Sequence, residues 1–278
     1  MKKIFITAFA VSTLLFAEAQ TLTTPQSSTT QTIKQNFGLS FIELTYSRPG
    51  VKERKIFGDL VPFGKLWRTG ANTANIITFG DTVFINGTKI APGKYGLFSI
   101  PDKNSWALIV SKQLNVTSPE AYKQDQDVVK VDVKPMNLNE KMETLTMQFA
   151  NINPGSCDLQ ILWDNTAVSL PITTDTEGKM KVQIDQMMKM DNRPYYNTAV
   201  YYINNGKDLN QALTWLNKAI ELEPDVLRNH YQRANVLAKM GKKEEAKTAA
   251  KKGIEMARAQ KNDNFVKMNE TLLEEMNK

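Results

Sequence analysis

The apolar residues of this chain follow two different periods, and the change falls near Thr174. Before that point apolar and polar residues alternate with a period of about two, which is typical of β-strands with one buried face. After it, apolar residues recur every three or four positions, which is typical of amphipathic helices. The sequence therefore predicts two domains of different class, a β-rich domain over residues 37–174 and a helical domain over residues 175–278.

Four stretches of the first domain show the alternation most clearly, and turn signals separate them. Their apolar positions are Val129, Val131 and Val133; Leu145, Met147 and Phe149; Leu159, Ile161 and Trp163; and Val168, Leu170 and Ile172. In the stretch TVFINGTKI, Asn86-Gly87 predicts a β-hairpin, because these residues accept the positive φ angles of a tight turn. Short strands at this spacing predict an antiparallel β-sandwich or an open barrel.

The start of the chain predicts export followed by a flexible leader. Two lysines precede an apolar run that is shorter than the roughly 20 residues a membrane span needs. Ala17-Glu18-Ala19 then offers the small residues that a signal peptidase reads. We expect residues 1–19 to be a signal peptide cleaved before Gln20, and the mature protein to be periplasmic or secreted rather than an integral membrane protein. Residues 20–36 are rich in Thr, Ser and Gln, and a segment of this composition buries too little apolar surface to order itself.

Residues 47–72 depart from the strand pattern. They include four glycines, two prolines, several basic residues and bulky apolar side chains, which is too apolar for a free loop and too interrupted for one strand. A long ordered connection on a β scaffold often carries a binding site. The candidate ligand-binding residues are Arg48, Arg54, Trp67, Arg68 and Asn72. Arginine offers a planar donor group to carboxylate, phosphate or sugar oxygens, and the alternative is that Arg68 and Asn72 only bond the connection into place.

Several runs of the first domain match a known family. They span residues 47–52, 55–65, 67–72, 85–87, 92–95, 97–101 and 162–164, with Val168, Leu170, Pro171 and Ile172 after them. Through these runs the chain from about Phe37 to Thr174 resembles the domain of unknown function 2911 family. The resemblance implies a bacterium of the Bacteroidetes and a periplasmic or secreted setting, and it implies no established activity. The family usually has Glu where this chain has Thr73, so a role that needs a carboxylate there is not expected.

The second domain contains an internal repeat. A shift of 34 residues places Ala212 on Ala246 and Ala219 on Gly253, and small residues at these positions permit close packing of helices. The two units resemble the tetratricopeptide repeat, whose period is 34 residues. Flanking helices near residues 179–190 and 262–276 are expected to cap the pair, because a repeat buries its apolar face only against a neighbour. The resemblance implies a groove for a protein or peptide partner, and the alternative is a small bundle that only packs on the first domain.

The composition excludes several kinds of site. Cys157 and His230 are the only cysteine and histidine of the chain and lie far apart in it, which excludes the usual zinc, haem and Cys-His nucleophile sites. We therefore expect no metal and no cofactor. Cys157 is predicted to be a buried thiol in a strand, and His230 is predicted to pack between helices. The net charge of +6 is mild and lies mostly in the C-terminal third of the chain without a concentrated basic stripe, so no nucleic-acid partner is expected.

These observations favour an exported, non-catalytic binding or adapter protein, with a protein or peptide partner on the helical repeat. They do not name a specific activity, and catalysis by the first domain stays open. One alternative is a glycan-active hydrolase. Its acid and base would come from Glu43, Asp59, Asp102 and Asp164, and a pocket with two carboxylates about 5 to 9 Å apart would favour it. The other alternative is a structural protein of the cell envelope.

Overall fold

The computed structural model describes residues 24–190 and 193–277. The described chain divides into two compact units, and the division falls between Thr174 and Asp175. The first unit is built from strands and the second from helices, which are the two classes that the apolar periods predict. The predicted signal peptide, residues 1–19, lies outside the described residues.

Within the described residues, ten strands form two antiparallel sheets in the first unit. The strands are β1 (Thr29–Phe37), β2 (Ser40–Arg48), β3 (Asn75–Phe79), β4 (Val83–Ile85), β5 (Thr88–Ile90), β6 (Gly93–Ile100), β7 (Trp106–Ser111), β8 (Asp127–Val133), β9 (Met136–Asn153) and β10 (Ser156–Thr173). A six-stranded sheet has the order β1-β2-β3-β6-β7-β8, and a four-stranded sheet has the order β5-β4-β10-β9. Neither sheet closes on itself, so the predicted β-rich antiparallel fold is confirmed as two open sheets.

The core of the first unit lies between these sheets. Leu44 and Ile77 come from the six-stranded sheet and Leu145, Ile161 and Leu170 from the four-stranded sheet, and none of the five is more than 2% exposed. Burial of a side chain of this size contributes about 1.5–3 kcal/mol. Because successive side chains of a strand point to opposite faces, the alternation in the sequence places one apolar row of each strand in this core.

The hairpin predicted at Asn86-Gly87 is confirmed. β4 and β5 pair with Ile85 opposite Thr88. The φ angle is 47° at Asn86 and 75° at Gly87. Two consecutive positive φ angles are what a two-residue type I′ turn requires, and its twist matches that of the flanking strands.

The flexible leader predicted for residues 20–36 is wrong from Thr29 onward. β1 begins there and pairs with β2 along its whole length. Ile33 and Phe37 of β1 pack against the core, while most of its other side chains face solvent at least in part. The backbone hydrogen bonds of an edge strand do not depend on apolar side chains, and branched Thr favours the extended backbone. The Thr- and Gln-rich composition of β1 therefore does not predict a strand, because pairing with β2 orders this segment.

β10 keeps its apolar side chains in the core in spite of a change in their spacing. Its pairing with β9 shifts register on both sides of Asp164, which has a φ of 53°. Irregularities of this kind alter which face of the sheet the following residues point to. Trp163 before the shift and Val168 after it are both buried, at 2% and 0% exposure. The two separate apolar stretches in the sequence therefore belong to one strand of 18 residues.

Six helices form the second unit within the described residues. They are α1 (Thr176–Met187), α2 (Tyr195–Asn204), α3 (Leu209–Leu222), α4 (Leu227–Lys239), α5 (Lys243–Ala259) and α6 (Asp263–Asn277). The side chain of Asp208 accepts hydrogen bonds from the backbone N–H groups of Asn210 and Gln211, which makes it the N-cap of α3. α3 ends two residues before Pro224, as the proline predicts. Among the helices described, none is long and apolar enough to cross a bilayer.

Candidate functional site

The connection between β2 and β3 begins on β9, in the opposite sheet. The backbone N–H of Val51 donates to the carbonyl of Glu143 at 2.7 Å, and that of Leu145 donates to the carbonyl of Pro49 at 2.9 Å. Arg48 donates from Nε to the carbonyl of Leu145 at 3.1 Å. The guanidinium of Arg48 therefore helps to attach the connection to the four-stranded sheet.

The same connection ends on the six-stranded sheet. Trp67 and Ser99 exchange backbone hydrogen bonds of 2.7 and 2.9 Å. The side-chain amide of Asn72 donates to the carbonyl of Ser28 at 3.1 Å and to the hydroxyl of Ser47 at 3.2 Å. The connection thus passes from one sheet to the other, and Asn72 bonds to the framework at its end.

Four aromatic rings pack together beneath the connection. Trp67 stacks on Trp163 with ring centroids 5.7 Å apart and an interplanar angle of 14°. Phe57 meets Trp106 edge to face at 4.9 Å and contacts both of the other rings. Aromatic pairs of this kind contribute about 0.5–1.5 kcal/mol each beyond their buried area. The cluster joins the connection to β7 and β10 and fixes the position of the indoles.

A cavity of about 350 Å³ opens beside this cluster, and we call it the arginine cavity. Its lining includes Lys52, Arg54, Leu60, Trp67, Arg68 and Trp163. Three of the five candidate residues from the sequence, Arg54, Trp67 and Arg68, therefore line one cavity. The other two, Arg48 and Asn72, bond to the framework around it. Lys52 and Trp163 were not among the predicted site residues, although both lie in runs that carry the family resemblance.

The lining of the arginine cavity is rich in hydrogen-bond donors. The Nε of Arg68 and the Nε1 of Trp163 are both shielded from solvent and have no hydrogen-bond partner. Arg68 also donates from Nη1 to the carbonyl of Thr117, at a long 3.4 Å. Arg54 donates from Nε to the carbonyl of Val51 at 3.0 Å, which holds its guanidinium at the wall. Shielded polar groups are normally paired, and the N–H groups of these two lining residues are exceptions.

A second, smaller cavity lies on the other side of Arg68. Its volume is about 200 Å³, and Phe98, Val116 and Thr117 contribute to its wall. Phe98 and Val116 belong to a small apolar cluster on the outer face of the six-stranded sheet. The connection at residues 47–72 supplies one part of this lining, but Val116 and Thr117 stand in a polar segment whose pattern does not predict their contribution.

The cysteine and the histidine are both held inside their units. Cys157 is 1% exposed, and burial together with the charge of Asp158 raises the pKa of its thiol to about 12. His230 is buried, and its Nε2 lies 2.7 Å from the carbonyl oxygen of Pro224. Both predicted burials are confirmed. In the part of the chain that the structure describes, no group of three or more His, Cys, Asp or Glu residues could hold a metal ion.

The carboxylates named for a hydrolase do not meet in the cavities described. Asp102 lines a third cavity of about 310 Å³ and accepts a hydrogen bond from the backbone N–H of Lys103 at 2.6 Å. Asp164 lies 3.8 Å from the ammonium group of Lys141. Five cavities are described in residues 24–190 and 193–277, and none of them is lined by more than one carboxylate. These cavities therefore give the hydrolase alternative no support.

In the second unit, α4 contacts both α2 and α6, and two pockets lie beside these helices. Near the start of α2, Arg193, Tyr195, Tyr196 and Arg228 line a pocket of about 310 Å³, and the guanidinium of Arg228 lies 4.8 Å from the ring centre of Tyr196. Near the end of α4, a pocket of about 410 Å³ lies against α6. Asn235, Lys239, Lys243, Leu272, Glu275 and Met276 line it. We call these the first and second repeat pockets.

Between the two repeat pockets, α4 also contacts α6 through aromatic rings. Tyr231 and Phe265 meet with centroids 6.3 Å apart. Burial raises the pKa of the Tyr231 hydroxyl, and the charge of Glu275 raises it further. Tyr231 is therefore uncharged at neutral pH and serves as a packing group between the two helices.

The two units define a two-part protein, an open antiparallel β-sandwich followed by a pair of helical repeats. The family model of the protein of unknown function (DUF2911) matches residues 28–172, and the tetratricopeptide repeat model matches residues 193–226 and 227–260. The first match covers more than half of the 278 residues, so the chain belongs to the DUF2911 family. No curated protein and no solved structure matches the chain.

Proposed function

We propose that this protein is an exported, non-catalytic adapter whose helical repeats hold an acidic segment of a partner protein. The observation that carries the proposal is the pair of tetratricopeptide repeats with its two repeat pockets, because repeats of this type suggest a protein-interaction role. Paired repeats expose successive helices as one extended surface, and such surfaces commonly serve binding.

The charge of the repeats supports an acidic partner. Residues 193–260 contain 12 Lys and Arg residues against seven Asp and Glu residues. The first repeat pocket combines Arg193 and Arg228 with two tyrosines and one acidic residue, Glu223. The second combines Lys239 and Lys243 with Leu272, Met276 and one acidic residue, Glu275, so cations outnumber carboxylates two to one in each pocket. A cation beside an apolar wall suits a peptide in which acidic and apolar side chains alternate. Opposite charge raises the rate of association, and burial of the apolar side chains lowers the rate of dissociation.

The test is selection of peptides by the full-length protein from a library that samples acidic, neutral and basic sequences. We expect acidic peptides with apolar residues between the charges to be enriched, and their affinity to fall as salt is raised. The double variant Arg228→Gln, Lys239→Gln should lose most of this binding. Lys251→Gln, Lys252→Gln is the matched control, because it removes two charges from exposed positions of α5 away from both pockets. Equal binding by the two double variants, or enrichment without regard to charge, contradicts the proposal.

Export is part of the proposal and rests on the sequence of residues 1–19. Fractionation of cells that express the full chain, followed by mass spectrometry of the purified product, tests it. We expect a mature protein that begins at Gln20 in the periplasmic or extracellular fraction. An uncleaved chain that stays in the cytoplasmic fraction contradicts export. It does not contradict the adapter role, which the peptide selection tests separately.

A further inference from the structure

We propose that the arginine cavity of the first unit binds a small organic anion, a single-ring molecule that carries one carboxylate or phosphate group. This proposal does not rest on the adapter role, because every residue that lines the cavity belongs to the β-sandwich unit. Three features of the cavity support an anionic ligand: its unpaired donors, its excess of cations and its size.

Two N–H donors of the lining residues have no hydrogen-bond acceptor. Arg68 Nε and Trp163 Nε1 are shielded from solvent, and neither has a partner. Trp163 is 2% exposed, so its N–H has no ready access to bulk water. Because no water-sized atom reaches these two donors as the side chains stand, a ligand oxygen would accept from them only after a shift of the partly exposed Arg68 side chain. A guanidinium and a carboxylate or phosphate form the strongest bonds of this class.

The lining of the arginine cavity carries an excess of positive charge. Lys52, Arg54 and Arg68 contribute three cations, and the residues that line the cavity include no Asp or Glu. The carboxylate of Glu143 lies next to the lining, because it accepts a hydrogen bond from the backbone N–H of Lys52 at 2.8 Å. That bond ties the carboxylate to the Lys52 end of the cavity. Among the ion pairs of the described residues, none involves Arg54 or Arg68. The potential in the cavity therefore favours an anion.

The size of the arginine cavity and its apolar wall limit the kind of anion that it can hold. A volume of about 350 Å³ is at the lower end of the range of roughly 300–1,000 Å³ that ligand pockets occupy. Leu60, Val61 and the indole of Trp67 form an apolar wall next to the cations. An inorganic anion would leave this wall without a partner, whereas one sugar or aromatic ring would cover it. The ligand class is therefore a sugar acid, a sugar phosphate or an aromatic acid rather than a free inorganic ion.

The test uses the full-length protein and follows both thermal unfolding and tryptophan emission, since Trp67 and Trp163 line the cavity. The probes are glucuronate, glucose 6-phosphate and benzoate. Glucose, benzyl alcohol and inorganic phosphate serve as the neutral and ring-free comparisons. We expect at least one ring-bearing anion to raise the unfolding temperature and change the emission in a saturable way. The neutral compounds should do neither, and inorganic phosphate should bind more weakly than the best ring-bearing anion.

Variants decide whether the cavity is responsible. Arg68→Gln should weaken binding of the active probe by about tenfold or more, as expected for the loss of a charged hydrogen bond. Arg68→Lys should retain part of the affinity, because it keeps the charge without the planar donor group. Trp163→Phe removes the second donor, and its own unfolding curve shows whether the fold is intact. Lys55→Gln is the control, because Lys55 is an exposed cation of the same connection outside the lining.

Two results would overturn the proposal. One is that no ring-bearing anion stabilises the protein more than sodium chloride of equal ionic strength. The other is that Arg68→Gln and Lys55→Gln change binding equally. Neither result bears on the repeats, because acidic peptides would be measured separately and with variants of the second unit.

Discussion

Replacing Arg68 with Met separates a binding role of this residue from a structural one. Methionine keeps much of the length of the side chain and removes the guanidinium. The variant loses one hydrogen bond, from Nη1 to the carbonyl of Thr117, and at 3.4 Å this bond is long. Loss of a hydrogen bond from a charged donor costs about 1.5–3 kcal/mol when its geometry is good, and this long bond lies at or below the lower end of that range. Removal of a shielded, unpaired donor such as Nε returns about 1–3 kcal/mol. We therefore expect the free energy of unfolding to stay unchanged or to rise by about 1 kcal/mol.

The assay is urea unfolding followed by tryptophan emission in a Trp215→Phe background. The three remaining tryptophans then all belong to the first unit. Arg48→Met is the comparison, because Arg48 donates both to the carbonyl of Leu145 and to the hydroxyl of Thr146. Its removal should lower the free energy of unfolding by about 2–4 kcal/mol, because two bonds from a partly exposed charged donor are lost. A loss of the same size in Arg68→Met would refute the reasoning and show that Arg68 holds the connection in place.

Three further predictions concern the interior of the first unit. Tyr46→Phe should lower the free energy of unfolding by about 1–3 kcal/mol in the same assay, because the hydroxyl accepts a hydrogen bond from the buried backbone N–H of Met147 at 2.9 Å; an unchanged value would mean that this bond contributes nothing. Gly96→Ala should cost more than about 2 kcal/mol, because a Cβ at Gly96 would lie 2.1 Å from the backbone oxygen of Gln113, and unaltered stability would show that the strand can move away. Cys157, with its thiol pKa raised to about 12, should resist a thiol reagent in the folded protein even at pH 9 and react once urea unfolds it; fast labelling of the native protein would contradict its burial.

Local signals in the sequence predict much of the fold. The period of two, the Asn86-Gly87 turn, the Asp208 cap and the 34-residue repeat each depend on residues that are close in the chain, and each is found in the structure. β1 escapes prediction because its order comes from pairing with β2 rather than from its own composition. Within β10 the buried apolar positions change from odd numbers, such as Trp163, to even numbers, such as Val168. This spacing is visible in the sequence, but it fits one irregular strand and two regular strands equally well.

The candidate site is predicted less well, because it depends on contacts between distant residues. The sequence singles out Arg54, Trp67 and Arg68 by their place in an unusual segment. It cannot show that Trp163 of β10 stacks on Trp67, since nearly a hundred positions separate them. Nor can it distinguish Arg48, whose donors bond to β9, from Arg68, whose Nε is unpaired. The residue type is the same in both cases, and the hydrogen-bond partners decide the role.

The most direct test of the adapter role is hydrogen exchange of the full-length protein with and without the best acidic peptide from the library selection. The account predicts slower exchange in α2, α4 and α6, around the two repeat pockets, and unchanged exchange in β1 to β10. The Arg228→Gln, Lys239→Gln variant should lose this protection. Protection confined to the β-sandwich, or equal protection in the variant, would contradict the claim that the helical repeats hold the partner.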